Sequence, residues 1–371
     1  MIYVTVPGDT VSSISRQSGV PVWKIMHDNQ LGEEGKLTVG QALLLLKPQE
    51  SAQIREDLYV TGYAYPFIEP YVLEMAFPAL NELLVFSYGF TFEGNLIPPM
   101  QEETWMIRLA WENGIEPMLV LTPFTQGVFN NQLIHTLVEE RTVRNKVISN
   151  LLEVVEEKGY TGVDVDFEYV RAEDREGYAQ FVGELRQAMN KKGYRVSVTL
   201  APKTSSDQRG LLYEGIDYAL LGEQADRLFL MTYGWGDSYG PPMAVAPLEK
   251  VRQVVEYALT QIPAEKLLMG IPNYGYNWTL PYEKGMTKAE TIGNVEAVRI
   301  AAEYGAAIHY DESAQSPYFT YQNQGRIQEV WFEDVRSIEA KIELAKEYQL
   351  YGVGYWNLMR PFRANWTMLE K

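Results

Sequence analysis

Cysteine is absent from the 371-residue sequence, and histidine is scarce. Without a thiol, the chain can form no disulfide framework, no cysteine nucleophile and no thiolate metal site. The absence does not decide the cellular compartment, because a disulfide-free protein tolerates either redox setting. The only histidines, His27, His135 and His309, lie far apart in the sequence, so we expect no histidine-rich metal site.

Positive charge is also in short supply, since 32 Lys and Arg residues face 49 Asp and Glu residues and give a net charge of −17. Nucleic acids and anionic membranes both attract basic surfaces. We therefore predict neither a nucleic-acid partner nor a membrane partner. No apolar run reaches the ~20 residues that a membrane-spanning helix needs, and the first residues show no signal peptide.

The charge balance of the sequence changes near residue 48. Residues 1–48 contain four basic and four acidic side chains, so the entire net charge lies on the remainder. Hydrophobic residues make up 46% and charged residues 22%, which is typical of globular proteins. We predict an N-terminal module at 1–48, a polar linker at 49–57 and a larger domain at 58–371.

The first 48 residues predict a βααβ unit. A strand at 2–6 precedes a turn, Gly8-Asp9-Thr10, whose side chains can cap the next helix. Two short amphipathic helices follow, and a strand at 37–46 closes the unit. A module of this size is marginally stable alone.

The same residues resemble a LysM module, through Tyr3, Gly8-Asp9-Thr10-Val11, Ile14, Asn29, Leu37, Gly40, Gln41 and Leu43. The resemblance implies binding of the N-acetyl groups of peptidoglycan or chitin in a groove between two loops, 8–11 and 29–31. It makes Gly8, Asp9, Thr10 and Asn29 candidate binding residues.

From residue 58 onward, strand patterns alternate with helix patterns, which predicts an α/β fold, a closed (β/α)8 TIM barrel. The predicted strands are 59–65, 83–88, 116–121, 162–168, 195–200, 227–232, 267–272 and 352–357, and the clearest helices are 102–113, 141–158, 175–192 and 332–348. The gap before the last strand is too long for one βα unit. It predicts a small β-rich insertion between strands seven and eight, at about 280–330.

The predicted fourth strand alternates apolar and acidic side chains. Its apolar face, suited to packing under helices, consists of Val163, Val165 and Phe167. Its other face would point into the barrel and consists of Asp164, Asp166 and Glu168. Burying three carboxylates costs several kcal/mol unless they are compensated. A solvated strand edge or a metal site is the alternative, but the apolar alternation opposes the first and the lack of nearby histidines the second.

Glu168 falls at the carboxyl end of this strand, where barrel enzymes place catalytic groups. A neighbouring carboxylate raises the pKa of its partner, so Glu168 beside Asp166 could stay protonated and act as a general acid. Most retaining glycosidases use a second carboxylate as nucleophile. Where the sugar has a 2-acetamido group, its carbonyl oxygen can attack instead, and Asp166 could then hold the acetamido N–H.

This segment resembles the D-x-x-D-x-D-x-E signature of glycoside hydrolase family 18, with Thr161 in place of the first Asp. The resemblance covers about 58–365 and implies a (β/α)8 barrel, substrate-assisted retention, N-acetylglucosamine-containing glycans as substrates, and no cofactor or metal. It makes Glu168 the acid, Asp166 the residue that orients the acetamido group, and Asp164 its support.

Further positions follow from the same resemblance. Tyr233 after strand six would hydrogen-bond the acetamido oxygen, and Trp356 at the end of strand eight would lie beneath the reacting sugar. Gly234 stands where the family usually has an acid, a role that Asp237 could take over. Other candidates for substrate binding at strand ends are Tyr63, Asn273 and Trp235.

The segment 233–247, together with the LysM-like module, resembles the cortical-fragment lytic enzymes of spore-forming bacteria. This implies hydrolysis of the β-1,4 bond after N-acetylglucosamine in peptidoglycan, and a location at the spore coat, the cortex or the cell wall. A chitinase or chitooligosaccharide hydrolase is the alternative enzyme. A lectin-like barrel and a passive spore-layer protein are the non-enzymatic alternatives, of which the intact Glu168, Asp166 and Tyr233 oppose the first.

Overall fold

The N-terminal unit forms around a small apolar core of its own. In the computed structural model, which describes all 371 residues, its elements are β1 (Ile2–Val4), α1 (Val11–Ser18), α2 (Val22–Asp28) and β2 (Ala42–Leu44). The two strands pair antiparallel, with Ile2 opposite Leu44. Thr10 caps α1, because its hydroxyl accepts the Ser13 N–H while the Ser13 hydroxyl accepts the Thr10 N–H. Both strands are shorter than predicted.

The first half of the larger domain alternates strands and helices as the sequence predicts. Its elements are β3 (Tyr59–Ala64), α3 (Pro70–Ala76), β4 (Glu82–Phe90), β5 (Leu96–Ile97), α4 (Thr104–Glu112), β6 (Glu116–Leu121), β7 (Phe124–Thr125), β8 (Val128–Phe129), α5 (Asn131–Glu139), α6 (Arg141–Lys158) and β9 (Gly162–Val165). β6 is apolar throughout its buried part, as expected for a strand covered on both faces. α6 ends at Lys158 and is followed by Gly159, which adopts a left-handed φ of 84°.

The second half contains the last four barrel strands and an inserted sheet. Its elements are α7 (Arg175–Asn190), β10 (Arg195–Leu200), α8 (Tyr218–Gln224), β11 (Arg227–Leu230), α9 (Leu248–Leu259), β12 (Leu267–Pro272), β13 (Gly275–Thr279), β14 (Glu290–Ile292), α10 (Asn294–Glu303), β15 (His309–Asp311), β16 (Ser316–Asn323), β17 (Arg326–Trp331), α11 (Val335–Glu347), β18 (Gly352–Trp356) and α12 (Arg363–Met368). α11 begins three residues later than predicted, because the Asp334 carboxylate caps it by accepting the N–H groups of Arg336 and Ser337.

Eight parallel strands close into a barrel in the order β3-β4-β6-β9-β10-β11-β12-β18, with β18 paired to β3. A cluster of 72 buried side chains fills the layer between the strands and the surrounding helices. A second cluster inside the barrel contains Tyr63, Leu84, Phe86, Met118, Val120, Phe229 and Leu268. The predicted (β/α)8 barrel is confirmed. None of the helices is both long and apolar enough to cross a membrane.

The segment between β12 and β18 forms a five-stranded antiparallel sheet in the order β14-β13-β17-β16-β15, together with α10. The sheet has its own apolar core, in which Phe319 and Val330 are fully buried. It begins at Gly275, earlier than the predicted boundary near 280, because β13 follows the barrel strand β12 almost directly.

The N-terminal unit packs against the rest of the chain. Leu44 and Leu46 belong to the main buried cluster of the barrel, and the Ile308 N–H donates to the Val39 carbonyl at 2.8 Å. Arg55, within the predicted linker, is buried, and its guanidinium donates to the carbonyls of Leu58, Ala79 and Leu369. This part of the linker is therefore anchored to the barrel.

Candidate active site

Asp164 lies on β9 with its side chain inside the barrel, where it is 1% exposed. Its carboxylate accepts hydrogen bonds from the Tyr63 hydroxyl at 2.8 Å and from the Ser197 hydroxyl at 2.5 Å. Burial raises the pKa of Asp164 to about 7, against the opposing effect of these two donors. Burial therefore favours the protonated form of Asp164 more than in an exposed aspartate.

Asp166 follows the end of β9, which stops at Val165, and its own N–H still donates to the Leu121 carbonyl at 2.9 Å. Its buried carboxylate accepts a hydrogen bond from the Thr199 hydroxyl at 2.7 Å. Burial and then the nearby charge of Glu168 raise the pKa of Asp166 well above its ordinary value. The two carboxyl groups titrate as a pair.

Glu168 stands two residues beyond Asp166 and is partly exposed to the cavity. Burial raises its pKa above the ordinary glutamate value, and no protein donor stabilises its charged form. A carboxyl group that is protonated, partly open to a cavity and free of protein partners can give its proton to a ligand. This is the arrangement required of a general acid.

A cavity of about 280 Å³ lies at the carboxyl ends of the barrel strands. It is mainly aromatic and is lined by Tyr63, Tyr65, Phe86, Phe124, Phe129, Asp166, Glu168, Thr199, Met231, Tyr233 and Trp356. The Trp356 ring packs against the rings of Phe86 at 5.1 Å and Tyr63 at 5.4 Å between centroids. An apolar aromatic wall facing two carboxyl groups is suited to a sugar ring, which has apolar faces and polar edges.

Tyr233 lines the same cavity. Burial raises the pKa of its hydroxyl well above the usual value, so the group stays neutral. It can therefore donate a hydrogen bond to a ligand oxygen over the whole working pH range.

The structure brings together six of the predicted site residues: Tyr63, Asp164, Asp166, Glu168, Tyr233 and Trp356. Asp164 does not line the cavity, but it accepts a hydrogen bond from Tyr63, which does. Three other predicted substrate contacts, Asn273, Trp235 and Asp237, do not line this cavity. Their surroundings explain why.

Asn273 is 2% exposed and supports the loop after β18. Its side-chain amide donates to the carbonyls of Asn357 and Arg360, and its oxygen accepts from Asn294. The structure therefore does not place Asn273 at this cavity, where it was expected, because both polar atoms of its side chain are engaged within the protein. Trp235 packs against the main core, and the exposed Asp237 accepts the N–H groups of Tyr239 and Gly240 in a turn.

The predicted LysM residues are also largely engaged within their own module. The Asp9 carboxylate accepts the Tyr3 hydroxyl and the Val6 N–H, each at 2.8 Å. The Asn29 amide bridges α2 to β2, since it donates to Ile25 and Leu44 and accepts the Leu44 N–H. These side chains shape the two loops, which leaves the loop backbone, including the exposed turn at Gly8, as the surface open to a ligand.

Sequence reasoning missed several residues that complete the site. Ser197 and Thr199 lie on β10 in register with β9, where Ser197 is directly opposite Asp164. The polar alternation of β10 was a usable signal, because a strand beside an acidic strand must supply donors. Phe129 had no comparable signal, since the β7–β8 hairpin is too short for a periodic pattern, and Phe86 is one of several apolar residues along β4.

Comparison with protein families matches residues 127–360 to the family described as Glycosyl hydrolases family 18 and residues 3–45 to the LysM domain. The first match spans more than half of the chain and includes the three carboxylates. The chain belongs to glycoside hydrolase family 18. It is accordingly a glycoside hydrolase with a LysM module at its N-terminus.

Within family 18, the chain is similar to proteins of spore-forming bacteria. The cortical fragment-lytic enzyme of Bacillus subtilis (strain 168) is 41% identical over 297 residues, which are 80% of this chain and 68% of that protein. The crystal structure of the Bacillus cereus spore cortex-lytic enzyme SleL superposes with a TM-score of 0.93 at 32% identity, covering 100% of this chain and 96% of that one. A chitinase from Chromobacterium violaceum is more distant, with 25% identity and a TM-score of 0.78 over 84% of this chain and 98% of that one.

Proposed function

We propose that this family 18 hydrolase is an N-acetylglucosaminidase that cleaves the β-1,4 bond after N-acetylglucosamine in peptidoglycan, with spore cortex fragments as its substrate. The observation that carries the proposal is the pairing of Glu168, with its raised pKa and no protein partner, with the buried Asp166 at the aromatic cavity. The similarity to SleL over the full length of the chain supports the choice of substrate.

In the first step, Glu168 gives its proton to the glycosidic oxygen, and the bond from that oxygen to the anomeric carbon breaks. The carbonyl oxygen of the substrate's own 2-acetamido group forms the new bond to the anomeric carbon from the opposite side. The product is a cyclic oxazolinium ion, and the leaving sugar departs with its hydroxyl restored. No enzyme carboxylate becomes bonded to the sugar in this mechanism.

Asp166 and Tyr233 hold the attacking group during this step. The Asp166 carboxylate accepts the acetamido N–H and balances the positive charge that develops on the ring, while the neutral Tyr233 hydroxyl donates to the acetamido oxygen. Thr199 and Asp164 stay behind this pair, since Thr199 hydrogen-bonds Asp166 directly and Asp164 is held by Tyr63 and Ser197. Trp356 lies against the apolar face of the sugar.

In the second step, the Glu168 carboxylate takes a proton from a water molecule as that water attacks the anomeric carbon. The oxazolinium ring opens, the acetamido group is restored, and the product keeps the configuration of the substrate. The acid is regenerated for the next cycle, so no cofactor is consumed.

The choice of peptidoglycan over chitin rests on the relatives and on the LysM module. The chain shares 31% identity over all 371 residues with the putative sporulation-specific glycosylase YdhD of Bacillus subtilis, covering 87% of that protein. We place the protein at the spore cortex or the cell wall on the same grounds. The catalytic groups alone do not separate peptidoglycan from chitin, since both present the same 2-acetamido sugar.

The test is mass spectrometry of the products from purified cortex fragments and from chitooligosaccharides, with Glu168→Gln as the matched control. We expect wild-type protein to release fragments that end in reducing N-acetylglucosamine from cortex, and the variant to bind without cutting. Loss of a general acid lowers the rate by about 10²–10⁴-fold.

Other results would contradict the proposal in distinguishable ways. Cleavage of chitooligosaccharides alone would identify a chitinase, and equal turnover by Glu168→Gln would remove Glu168 from the acid role. No cleavage of either substrate would leave a glycan-binding or passive barrel.

A further inference from the structure

A cluster of potential metal ligands lies away from the catalytic cavity, where α5 meets the turn that precedes α7. His135 and Glu139 are four residues apart on α5, so they share one face of the helix. Asp174 approaches them from the start of α7. The ligand atoms of these three residues all lie within 4.8 Å of one another.

Asp174 is an unusual member of the cluster because it is 1% exposed. One carboxylate oxygen lies 2.8 Å from Nδ1 of His135. The other, Oδ2, is buried and has no hydrogen-bond partner, and the side chain does not cap α7. A buried carboxylate oxygen without a partner is costly, and a cation is one of the few ligands that would satisfy it.

We propose that His135, Glu139 and Asp174 bind one divalent transition-metal ion, with Zn²⁺ the best match. One imidazole nitrogen and two carboxylates suit Zn²⁺ better than Ca²⁺ or Mg²⁺, which prefer oxygen ligands alone. Water completes the coordination on the exposed side of Glu139. The ion would lie between His135 and Asp174, and an imidazole binds a metal ion in its neutral form.

The surrounding charges favour a cation. Glu173 lies 3.8 Å from His135 Nδ1 and adds a further negative charge. Arg171 lies 3.7 Å from Glu173, and Arg144, which donates to the Val138 carbonyl, is paired with Glu184. The cluster therefore has more negative than positive charge, which a divalent ion would offset.

The site would join two elements next to the catalytic acid. Asn131 at the start of α5 donates to the Tyr169 carbonyl at 3.1 Å, and Arg171 donates to the Gln132 side chain at 3.0 Å. Tyr169 directly follows Glu168. An ion between α5 and Asp174 would add a stronger connection that holds the segment 169–174. Its role is structural, and the chemistry proposed above does not pass through it.

The experiment is a calorimetric titration of ZnCl2 into the full-length, untagged protein after treatment with a chelator. We expect one equivalent to bind to the wild type. Glu139→Gln should weaken that binding at least tenfold, since loss of a residue that merely supports a metal ligand already costs about 10–100-fold, and His135→Gln should abolish it. Glu140→Gln is the matched control, because Glu140 is the next residue, is also exposed and is not in the cluster.

A second measurement keeps the proposal open to refutation even if one variant folds poorly. Zn²⁺ should raise the melting temperature of the wild type and of Glu140→Gln, but not that of His135→Gln, with circular dichroism confirming the fold of each. The proposal fails if the wild type binds no stoichiometric Zn²⁺. It also fails if Glu139→Gln and Glu140→Gln bind Zn²⁺ equally well.

Discussion

The three carboxyl groups of the segment 164–168 differ in what satisfies them. Asp164 accepts two hydroxyl donors, Asp166 accepts one, and Glu168 has none from the protein. The number of donors falls toward the cavity. The carboxyl group that lies nearest the ligand is therefore the one with no hydrogen bond from the protein. For this reason Glu168, rather than either aspartate, suits the acid role.

The pH dependence of activity should report the pKa at which the Asp166–Glu168 pair loses the proton that Glu168 gives to the substrate. A general acid works while protonated, so kcat/KM on cortex fragments should fall as pH rises through that pKa. Burial raises the pKa, so the alkaline limb should lie well above the ordinary glutamate value of about 4.3. Initial rates at subsaturating substrate between pH 4 and pH 9 test this. A limb between pH 4 and pH 5 would contradict the assignment.

The same burial should cost stability at neutral pH. Because the folded-state pKa of Glu168 is raised, the folded state holds a proton that the unfolded state releases, and stability falls as pH rises from about 4.3 toward the raised value. Glu168→Gln removes this cost. We expect the variant to be more stable than wild type in urea at pH 8, and equal to it at pH 4.

Glu140→Gln serves as the control, since Glu140 is exposed on the surface. It should show no such pH-dependent gain. A Glu168→Gln variant whose stability difference from wild type is the same at pH 4 and pH 8 would show that desolvation does not raise this pKa.

At the level of elements, the sequence pattern predicted strand positions well but not where each strand ends. Continuous apolar runs in β6 and β12 gave correct bounds. The pattern of β9 extends to Glu168, yet the strand ends at Val165. On one side its neighbour β6 ends at Leu121, which pairs with Val165, so the pairing with β6 stops there. Alternation along one strand contains no information about the length of its neighbours.

Polar residues at strand ends were the least predictable part of the site. Asn273 and Tyr233 both follow barrel strands, but Tyr233 lines the cavity while Asn273 holds backbone carbonyls after β18. Both side chains are polar and can form hydrogen bonds, so their positions in the sequence do not separate the two roles. Only the contacts between distant segments distinguish a ligand-binding side chain from a supporting one.

The loop that includes Gly40 should be sensitive to a single added methyl group. Gly40 has a φ of 83°, and a Cβ there would lie 1.9 Å from the Ile308 carbonyl oxygen. Gly40→Ala should therefore push the N-terminal module away from the inserted sheet and lower the melting temperature. Thermal unfolding followed by circular dichroism measures the effect.

Gly8→Ala is a close control, because Gly8 has a similar φ of 90° but open space around the added Cβ. Both alanine variants should lose about 1–2 kcal/mol of folding free energy, because a residue with a Cβ disfavours the left-handed backbone at these positions. Only Gly40→Ala adds the collision with Ile308. Equal losses in the two variants would show that the contact between the module and the sheet contributes nothing to stability.

For the whole molecule, the LysM module is part of the folded body rather than a freely tethered domain. Leu44 and Leu46 contribute to the main core, Arg336 donates to the Gly40 carbonyl at 3.1 Å, and the Arg363 N–H donates to the Gln30 side chain at 2.6 Å. A single module held in this way gives no gain from flexible multivalent binding. Its contribution to glycan binding must come from a fixed orientation relative to the barrel.

Deletion of residues 1–48 should therefore affect two properties that can be measured separately. The truncated protein should bind insoluble cortex less well, because it lacks the glycan-binding module. It should also melt at a lower temperature, because the apolar surface that Leu44 and Leu46 cover becomes exposed to water. Below that temperature, hydrolysis of short soluble fragments should continue, since every residue that lines the cavity lies beyond position 48.

Sedimentation with insoluble cortex, thermal unfolding and product analysis test the three expectations in parallel. Unchanged sedimentation would remove the module from glycan binding, whereas an unchanged melting temperature would mean that the shared core does not stabilise the barrel.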